Sequence, residues 1–306
     1  MSNTNVDADK FAPTCELCGH AGPPSQRNAV RSNIRRFRHL KFTVWRCEQC
    51  HSLHCERVAD LGSYYADYPL RREQNCGYFT AQWLRVIFNR LRRYGLNPRH
   101  RILDYGCGNG LLIKYLESKG YQNCIGYDPY VQEYKDTTPL DAHYDWILCF
   151  DVIEHVESPR ELIEQFTGLL KPNGKVCLFT PRAEGINLIE PELSIHQLHT
   201  PCHLHLLSEY ILLELCTQAG FLVEGIYHRW YQDSWLPCAS RRFIELFMKS
   251  HGNDMDAAFD RPNARIILRT PLLWFYAIFG YYLPSRKEDT MMTIFKVASE
   301  RSSPLS

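Results

Sequence analysis

Three glycines at alternate positions, placed directly after a short apolar segment, form the most specific chemical signal in the chain. The segment DYGCGNG, residues 104–110, follows the apolar pair Ile102-Leu103 and precedes the amphipathic run LLIKYLESKG. Glycine adopts backbone torsion angles that other residues rarely reach, and it lets a ligand approach the backbone closely. The pattern therefore predicts a strand, a ligand-binding turn and a helix. Leu111 stands where a dinucleotide-binding loop needs glycine or alanine, which disfavours a nicotinamide cofactor.

An acidic residue ends the next predicted strand. In the segment CIGYDPY this residue is Asp128. A carboxylate at a strand end can accept hydrogen bonds from both hydroxyls of a ribose. The two features together predict a nucleoside ligand without a diphosphate.

Together with FDVIEHV at residues 150–156, these segments resemble the motifs of class I S-adenosylmethionine-dependent methyltransferases in order and spacing. The resemblance implies that S-adenosylmethionine is the cofactor, with its methionine part beside the glycine loop. The cofactor-binding residues that the resemblance implies are Asp104, Gly106, Cys107, Gly108, Gly110, Asp128, Phe150, Asp151 and Val152. Candidates for the adenine contact are Asp136 and Asp141.

The resemblance also implies an α/β fold, with a Rossmann-like methyltransferase sheet of seven strands. Strand and helix patterns alternate over residues 101–181, which predicts a parallel sheet whose ligand site lies at the carboxyl ends of the strands. Only 16 residues separate Asp128 from Asp145, where this family has a strand, an acidic residue and a helix. The third strand is therefore expected to be vestigial.

A histidine-rich connection after the fifth predicted strand is the candidate source of a catalytic base. Methyl transfer is an in-line displacement, so the protein aligns the acceptor and, for a hydroxyl, removes its proton. Histidine suits this step because its pKa lies near neutral pH. We predict that His203 is the base; the alternative is that His203 and His205 cap or pack the helix that starts at Ser208. The connection also contains His196 and His199.

The pair Glu154-His155 is the candidate for a second catalytic arrangement. Its pattern resembles that of metal-dependent 2'-O-methyltransferases of small RNAs and of ubiquinone-pathway O-methyltransferases, in which an acidic-x-x-Glu-His group helps to bind a divalent cation near the acceptor hydroxyls. The residues that this resemblance implies for a Mg²⁺ site are Asp151, Glu154, His155 and one histidine of residues 196–205. The alternative is a purely structural motif, because relatives of many specificities share the pattern. The first acidic position is Asp rather than Glu, which shortens its reach.

Four cysteines in two CxxC pairs, Cys15 with Cys18 and Cys47 with Cys50, predict a metal site near the N-terminus. Zn²⁺ prefers such a tetrahedral set of thiolates, and about 60 residues without a metal would form too small a core to fold securely. We therefore predict a structural zinc ribbon without a catalytic role, because four cysteines leave no open coordination position. Alternative ligands nearby are His20, His51, His54 and Cys55.

The segment between the two cysteine pairs is basic. Residues 27–46 contain seven arginines and lysines and no acidic residue, with Phe37, Phe42 and Trp45 among them. Such a composition could bind RNA or phosphate; the alternative is a hairpin whose cations keep it soluble. The formal net charge of the chain is only +1, which disfavours a nucleic-acid partner.

The length of 306 residues predicts one large domain with additions. The predicted organisation is a zinc ribbon at 1–60, a linker and helix at 61–98, the methyltransferase core at 99–232, a helical cap insertion at 233–289, and the last core strand with the tail at 290–306. The insertion is rich in aromatic residues. It could line a pocket for a hydrophobic acceptor, pack between subunits or rest on a bilayer.

The sequence favours a cytoplasmic protein. The 13 cysteines are an odd number, and most lie singly outside the two pairs, as is typical of reduced thiols. The polar N-terminus lacks a signal-peptide pattern, and the apolar stretch 271–284 is shorter than the ~20 residues that span a bilayer.

These patterns together predict an S-adenosylmethionine-dependent methyltransferase with a small-molecule acceptor, and they favour O-methylation over C-methylation. Zinc ribbons ahead of such a domain also resemble those of sugar C-methyltransferases, so carbon methylation stays open. The alternatives are an RNA 2'-O-methyltransferase that uses the basic ribbon, and a non-catalytic protein that keeps the cofactor fold to bind a partner.

Overall fold

The structure, a computed structural model, describes residues 11–66, 78–229, 240–258, 260, 264–279 and 288–298. Its strands, in chain order, are β1 (Gln26–Arg31), β2 (Lys41–Arg46), β3 (Leu53–Cys55), β4 (Ile102–Tyr105), β5 (Cys124–Tyr127), β6 (Tyr144–Phe150), β7 (Leu170–Pro181), β8 (His205–Leu206), β9 (Phe221–Tyr227) and β10 (Thr290–Val297). Its α-helices are α1 (Leu61–Ala66), α2 (Tyr78–Arg93), α3 (Leu111–Ser118), α4 (Pro159–Leu169), α5 (Ile195–Leu198), α6 (Glu209–Gln218), α7 (Arg241–Ser250), α8 (Ala264–Leu268) and α9 (Pro271–Phe279).

The central sheet contains six strands in the order β5-β4-β6-β7-β10-β9. The strands β5, β4, β6 and β7 are parallel, and β10 is antiparallel to both of its neighbours. The α/β class agrees with the prediction. Because β4 lies between β5 and β6, the strand order reverses there, and the ligand crevice of such a sheet opens at its carboxyl end.

The prediction of seven strands is wrong for the described residues, which form six in this sheet. The absent strand is the third. Residues 128–143 form turns and a 3₁₀ helix at Thr138–Asp141 instead of an extended segment. A parallel strand needs a crossover of about a dozen residues or more on each side, and this connection is too short to provide them.

The central strands are buried on both faces. In β6, residues 146–149 are all buried, as is typical of a parallel strand covered by helices on both sides. The covering helices begin at capping serines. Ser158 accepts a hydrogen bond from the Glu161 amide at the start of α4, and Ser208 accepts one from the Ile211 amide at the start of α6.

A second sheet, with the order β1-β2-β3-β8, forms the N-terminal region. β1 and β2 are the hairpin predicted between the cysteine pairs. β8 belongs to the connection after β7, and it pairs with β3 through Leu53 and Leu206 and through His54 and His205. The N-terminal sheet therefore includes two residues from the segment predicted as methyltransferase core.

Two arginines of the basic segment form ion pairs within the protein. Arg31 pairs with Glu192 at 2.6 Å. Arg35 pairs with Asp254 at 2.6 Å and with Asp260 at 2.7 Å. Glu192 lies in the connection after β7, whereas Asp254 and Asp260 lie in the insertion. The ion pairs therefore link the basic segment to both of these regions. These contacts reduce the positive charge that a nucleic acid would need.

Two aromatic residues of the basic segment pack inside the protein. Phe42 and Trp45 are buried, and Trp45 stacks on His54 with ring centroids 4.3 Å apart. Arg46 donates a hydrogen bond to the Ile186 carbonyl at 2.6 Å. RNA strands stack their bases on exposed aromatic rings, and neither buried ring offers such a surface.

The insertion before the last strand is helical where it is described, as predicted. A buried ion pair between Arg241 of α7 and Asp289 anchors it next to β10. The linker at 67–77, the residues at 230–239 and the tail at 299–306 lie outside the described residues. Within the described ranges, no helix has both the length and the apolar character needed to cross a bilayer.

Candidate active site and thiolate cluster

The glycine loop lies at the carboxyl end of β4, where the ligand crevice opens. Gly106, Gly108 and Gly110 have φ values of 75°, 52° and 69°, which residues other than glycine rarely adopt. A Cβ atom at Gly106 would overlap the side chain of Val152. Backbone conformation and close packing both require glycine at this position.

Two carboxylates flank the loop. The Asp128 carboxylate accepts hydrogen bonds from the amides of Gly108 at 3.0 Å and Tyr130 at 2.9 Å. Burial, together with the negative charge of Asp128, raises the pKa of Asp104 to about 7. Asp128 thus holds the loop in shape, and its oxygens have further lone pairs that ribose hydroxyls could use.

Residues 150–152 follow at the neighbouring strand end. Phe150 is the last residue of β6, and the Asp151 amide donates to the Phe179 carbonyl at 2.9 Å. Parallel strands end at the same edge of a sheet, so the fold brings together all three segments that resemble methyltransferase motifs.

Tyr134 packs on the loop from the turn after β5, and no sequence pattern had identified it. Its side chain occupies the space that a Cβ atom would need at Gly110 and at Gly126. Its carbonyl accepts a hydrogen bond from the Asp128 amide at 2.9 Å. The turn therefore places an aromatic ring over the glycines beside the predicted ribose contact.

The two adenine candidates lie in the segment that replaces the third strand. Asp136 is exposed, and its Oδ1 accepts hydrogen bonds from the amide and the hydroxyl of Thr138 at 3.0 Å and 2.8 Å. Asp141 is exposed at the end of the 3₁₀ helix. Asp136 thus stabilises the turn that precedes the 3₁₀ helix, and the adenine contact of either residue stays a prediction.

Glu154, His155 and His203 form a compact group of candidate metal ligands. One ligand atom from each lies within 4.8 Å of the others, and Glu154 is fully buried. Glu154 and His155 follow β6, whereas His203 lies in the connection after β7. In the described structure, the group does not include Asp151.

The hydrogen bonds of the two histidines fix their tautomers. Nδ1 of His155 lies 2.9 Å from the Cys202 carbonyl oxygen, and Nδ1 of His203 lies 2.6 Å from the Gln197 carbonyl oxygen. A carbonyl oxygen only accepts, so each Nδ1 carries a proton and each Nε2 keeps its lone pair. Backbone carbonyls commonly orient metal-binding histidines in this way.

Glu154 supplies a carboxylate within 4.8 Å of the ligand atoms of the two histidines. Its Oε2 accepts a hydrogen bond from Thr180 Oγ1 at 3.0 Å, whereas its Oε1 has no hydrogen-bond partner among the described residues. Burial raises the pKa of Glu154 well above its ordinary value, and the charge of Asp151 adds to the rise. Burial also lowers the pKa of His155 to about 4 and that of His203 well below its usual range. A buried carboxylate beside two neutral imidazoles fits a bound cation, which would stabilise the ionised carboxylate.

The remaining histidines of the connection have other partners. Nδ1 of His199 lies 2.7 Å from Asn33 Oδ1, and Nδ1 of His196 lies 3.2 Å from Asn33 Nδ2. The side chain of Ser208 caps α6, so the helix cap is not a histidine.

Tyr65 of α1 is a further residue of the site, in a region predicted only as a linker and helix. Its hydroxyl lies 2.8 Å from Nδ1 of His155 and donates to the Cys202 carbonyl at 3.3 Å. Its ring stacks on Tyr130 with centroids 5.2 Å apart. Because the Tyr130 amide donates to Asp128, Tyr65 connects the ligand group with the turn beside the glycine loop.

The four predicted zinc ligands lie together. The Sγ atoms of Cys15 and Cys50 are 3.6 Å apart, and those of Cys18 and Cys47 are 3.7 Å apart. Zn–S bonds of about 2.3 Å in a tetrahedron place the sulfur atoms about 3.8 Å apart, so the cluster fits Zn²⁺. His54 was an alternative ligand; its Nε2 instead contacts Cys15 Sγ at 3.2 Å.

The parallel strands, the glycine loop at the reversal of strand order and the acidic residue after the next strand define a methyltransferase that uses S-adenosylmethionine. A family model described as a methyltransferase domain matches residues 59–225, more than half of the chain. The chain belongs to this family.

Curated relatives include the ubiquinone biosynthesis O-methyltransferases of Yersinia pestis (strain Pestoides F) and Yersinia pseudotuberculosis (serotype O:1b, strain IP 31758). Each is 30% identical over 111 residues, which cover 29% of this chain and 46% of the relative. The match thus spans less than half the length of these relatives.

Solved structures of similar fold include coclaurine N-methyltransferase bound to N-methylheliamine and SAH, with a TM-score of 0.45 and 15% identity over 73% of this chain and 75% of that one. Another is the cyclopropane synthase MmaA2 from Mycobacterium tuberculosis, with a TM-score of 0.45 and 15% identity over 74% and 87% of the two chains.

Proposed function

We propose that this methyltransferase transfers the methyl group to a hydroxyl of a small-molecule acceptor, next to a divalent cation bound by Glu154, His155 and His203. The observation that carries the proposal is the buried ligand group, in which one carboxylate oxygen lacks a partner among the described residues. The name of the Yersinia relatives, O-methyltransferases of ubiquinone biosynthesis, supports the same class of reaction.

The donor set indicates which cation fits. Two imidazole nitrogens and one carboxylate suit Mn²⁺, Fe²⁺, Co²⁺ or Zn²⁺, whereas Mg²⁺ prefers oxygen ligands. Mg²⁺, which the sequence resemblance implied, is therefore the weaker candidate. When bound, the cation would lower the pKa of the acceptor hydroxyl and so favour the loss of its proton.

The residues of the chain have separate tasks in this proposal. The glycine loop and Asp128 bind S-adenosylmethionine. The carbonyls of Cys202 and Gln197 orient the two imidazoles and favour a proton on each Nδ1, so that Nε2 would be the nitrogen that binds the cation. If no cation binds, Nε2 of His203 is the base, as the sequence predicts.

Cation binding can be measured without knowing the acceptor. Mn²⁺ is titrated into the zinc-loaded protein and followed by electron paramagnetic resonance. We expect one Mn²⁺ site that is lost in Glu154→Gln and in His203→Gln but kept in the control His196→Gln. Zinc content is measured in each variant to show that the N-terminal cluster is intact. Wild-type protein that binds no Mn²⁺, or a Glu154→Gln variant of unchanged affinity, contradicts the cation site.

The reaction class needs a second measurement. The protein is incubated with S-adenosylmethionine and a panel of hydroxyl compounds, and products are located by mass spectrometry. We expect methyl ethers, in amounts that rise with added Mn²⁺. A product methylated on carbon would favour C-methylation, and full activity in both Glu154→Gln and His203→Gln would leave the group without a role.

We also propose that the thiolate cluster of Cys15, Cys18, Cys47 and Cys50 holds one structural Zn²⁺. The sulfur spacing supports this assignment, and the contact with His54 is of the kind that orients metal ligands.

A further inference from the structure

The helices α8 and α9 of the insertion expose a large apolar surface, named here the α8–α9 face. Its exposed side chains are Leu268 (69%), Leu272 (52%), Trp274 (48%), Phe275 (43%), Ile278 (59%) and Phe279 (46%). Leu273 is the buried residue of α9. The two helices are neighbours, and a group of exposed apolar side chains on neighbouring helices is typical of a contact with a partner or a membrane.

Four of these side chains form a stripe along α9. Phe275 lies three positions after Leu272, and Ile278 and Phe279 lie three and four positions after Phe275, so the four residues share one side of the helix. The nine residues of α9 extend about 13 Å, which is much less than the ~30 Å of a bilayer core. The helix is thus suited to lie along a membrane surface.

The charge of this region is positive. Residues 264–279 contain two charged side chains, Arg265 and Arg269, and both are exposed. Anionic lipid headgroups attract such cations, while apolar side chains enter the boundary of the acyl chains. A two-fold contact between two copies would instead bring like charges together. Charge complementarity therefore favours a lipid surface over a second copy of the chain.

We propose that the α8–α9 face docks on an anionic lipid surface, with the stripe of α9 inserted at the headgroup boundary. This inference does not depend on the identity of the methyl acceptor or on the cation site.

Vesicle sedimentation with the full chain tests the proposal. One set of vesicles contains phosphatidylcholine alone, and the other contains phosphatidylcholine mixed with phosphatidylglycerol. We expect binding to the anionic vesicles and binding at least about fivefold weaker to the neutral ones. The Phe275→Ser/Ile278→Ser variant should bind anionic vesicles at least about tenfold more weakly, and Arg269→Gln about fivefold more weakly.

The matched control is Tyr210→Ser/Leu222→Ser, which removes two apolar side chains that are 62% and 57% exposed in α6 and β9. It should bind vesicles as the wild type does, and S-adenosylmethionine affinity should be unchanged in every variant. Equal binding to both vesicle types, no binding to either, or an equal loss in the control overturns the proposal. A dimer in ultracentrifugation that Phe275→Ser/Ile278→Ser dissociates, without vesicle binding, would assign the face to a second copy.

Discussion

Nδ1 of His54 and Nδ1 of His205 lie 3.0 Å apart where β3 pairs with β8. On one side, Nε2 of His54 contacts Cys15 of the thiolate cluster at 3.2 Å. On the other side, the amides of Leu204 and His205 donate to the Glu154 carbonyl at 2.8 Å and 3.2 Å. The two histidines therefore connect the N-terminal cluster with the segment that carries the candidate cation ligands.

This connection predicts that His205 positions Glu154. The His205 imidazole also contacts the Glu157 carbonyl through Nε2 at 3.2 Å. His205→Ala keeps the amide bonds to Glu154 but removes the side-chain contacts with His54 and Glu157. Mn²⁺ affinity at the ligand group should therefore fall about tenfold, because about 1–1.5 kcal/mol of hydrogen bonding no longer holds the segment. Zinc content should stay the same. His205→Asn, whose amide can replace the contact with His54, should recover part of the affinity. The control His228→Ala removes another paired imidazole and should have no effect; Mn²⁺ affinity unchanged in His205→Ala would refute the positioning role.

Asp128 is expected to determine cofactor affinity. Asp128→Ala should weaken S-adenosylmethionine binding at least about tenfold, because each charged hydrogen bond contributes roughly 1.5–3 kcal/mol. The same change removes the acceptor of the Gly108 amide, so loop order and ribose contact are lost together. Titration calorimetry measures the change, with Glu164→Ala in α4 as the exposed control. If Asp128→Ala binds as tightly as the wild type, the ribose site lies elsewhere.

The thiolate cluster should hold zinc through four particular cysteines. Cys47→Ser should reduce zinc from one ion per chain to almost none and lower the thermal midpoint, because the folding of a small metal site depends on its metal. Cys55→Ser is the control, since Cys55 is buried nearby without belonging to the cluster. Elemental analysis that finds no zinc in wild-type protein purified without chelator would rule out the ribbon.

Histidines that are half-buried or buried should make the fold sensitive to acid. Burial lowers the pKa of His155 and of His196 to about 4. The ordinary histidine pKa is about 6.5, so each of these histidines binds more protons in the unfolded chain than in the folded chain between about pH 6.5 and 4. The raised pKa values of Asp104 and Glu154 act in the opposite direction. These two carboxyls are outnumbered, because burial also lowers the pKa of His199, His203 and His205. The free energy of unfolding should therefore fall as the pH falls through this window, by on the order of 3 kcal/mol for each histidine.

Urea unfolding across the window measures this effect. His155→Gln should show a shallower pH dependence than the wild type, by about one proton. A pH dependence that is the same in His155→Gln and in the wild type would contradict the burial of a neutral imidazole at this position.

The role of His203 can be separated from that of a cation by turnover. His203→Ala should lower turnover about 10²–10⁴-fold in either case, with cofactor affinity nearly constant. If His203 is a cation ligand, added Mn²⁺ raises wild-type turnover; if it is the base alone, added Mn²⁺ has no effect. Loss of cofactor binding in the variant would instead indicate a packing role.

The sequence alone determined the features that depend on near neighbours. These features are the glycine loop, the alternation of strands and helices, and the serine caps of α4 and α6. Each depends on residues that lie close together in the sequence, so a local pattern indicates it. The two CxxC pairs are local in the same sense. The short connection after Asp128 also indicated a weakened third strand, and the structure forms none there.

Only the tertiary structure decided which distant side chains meet. His203 reaches Glu154 and His155 because the connection after β7 folds back to them, and Tyr65 contacts His155 across 90 positions of the chain. Arg35, predicted as part of an RNA or soluble surface, instead pairs with Asp254 across 219 positions. Hydrogen bonds and ion pairs need particular distances and angles. Those distances depend on how separate segments pack together. Local sequence patterns do not predict that packing.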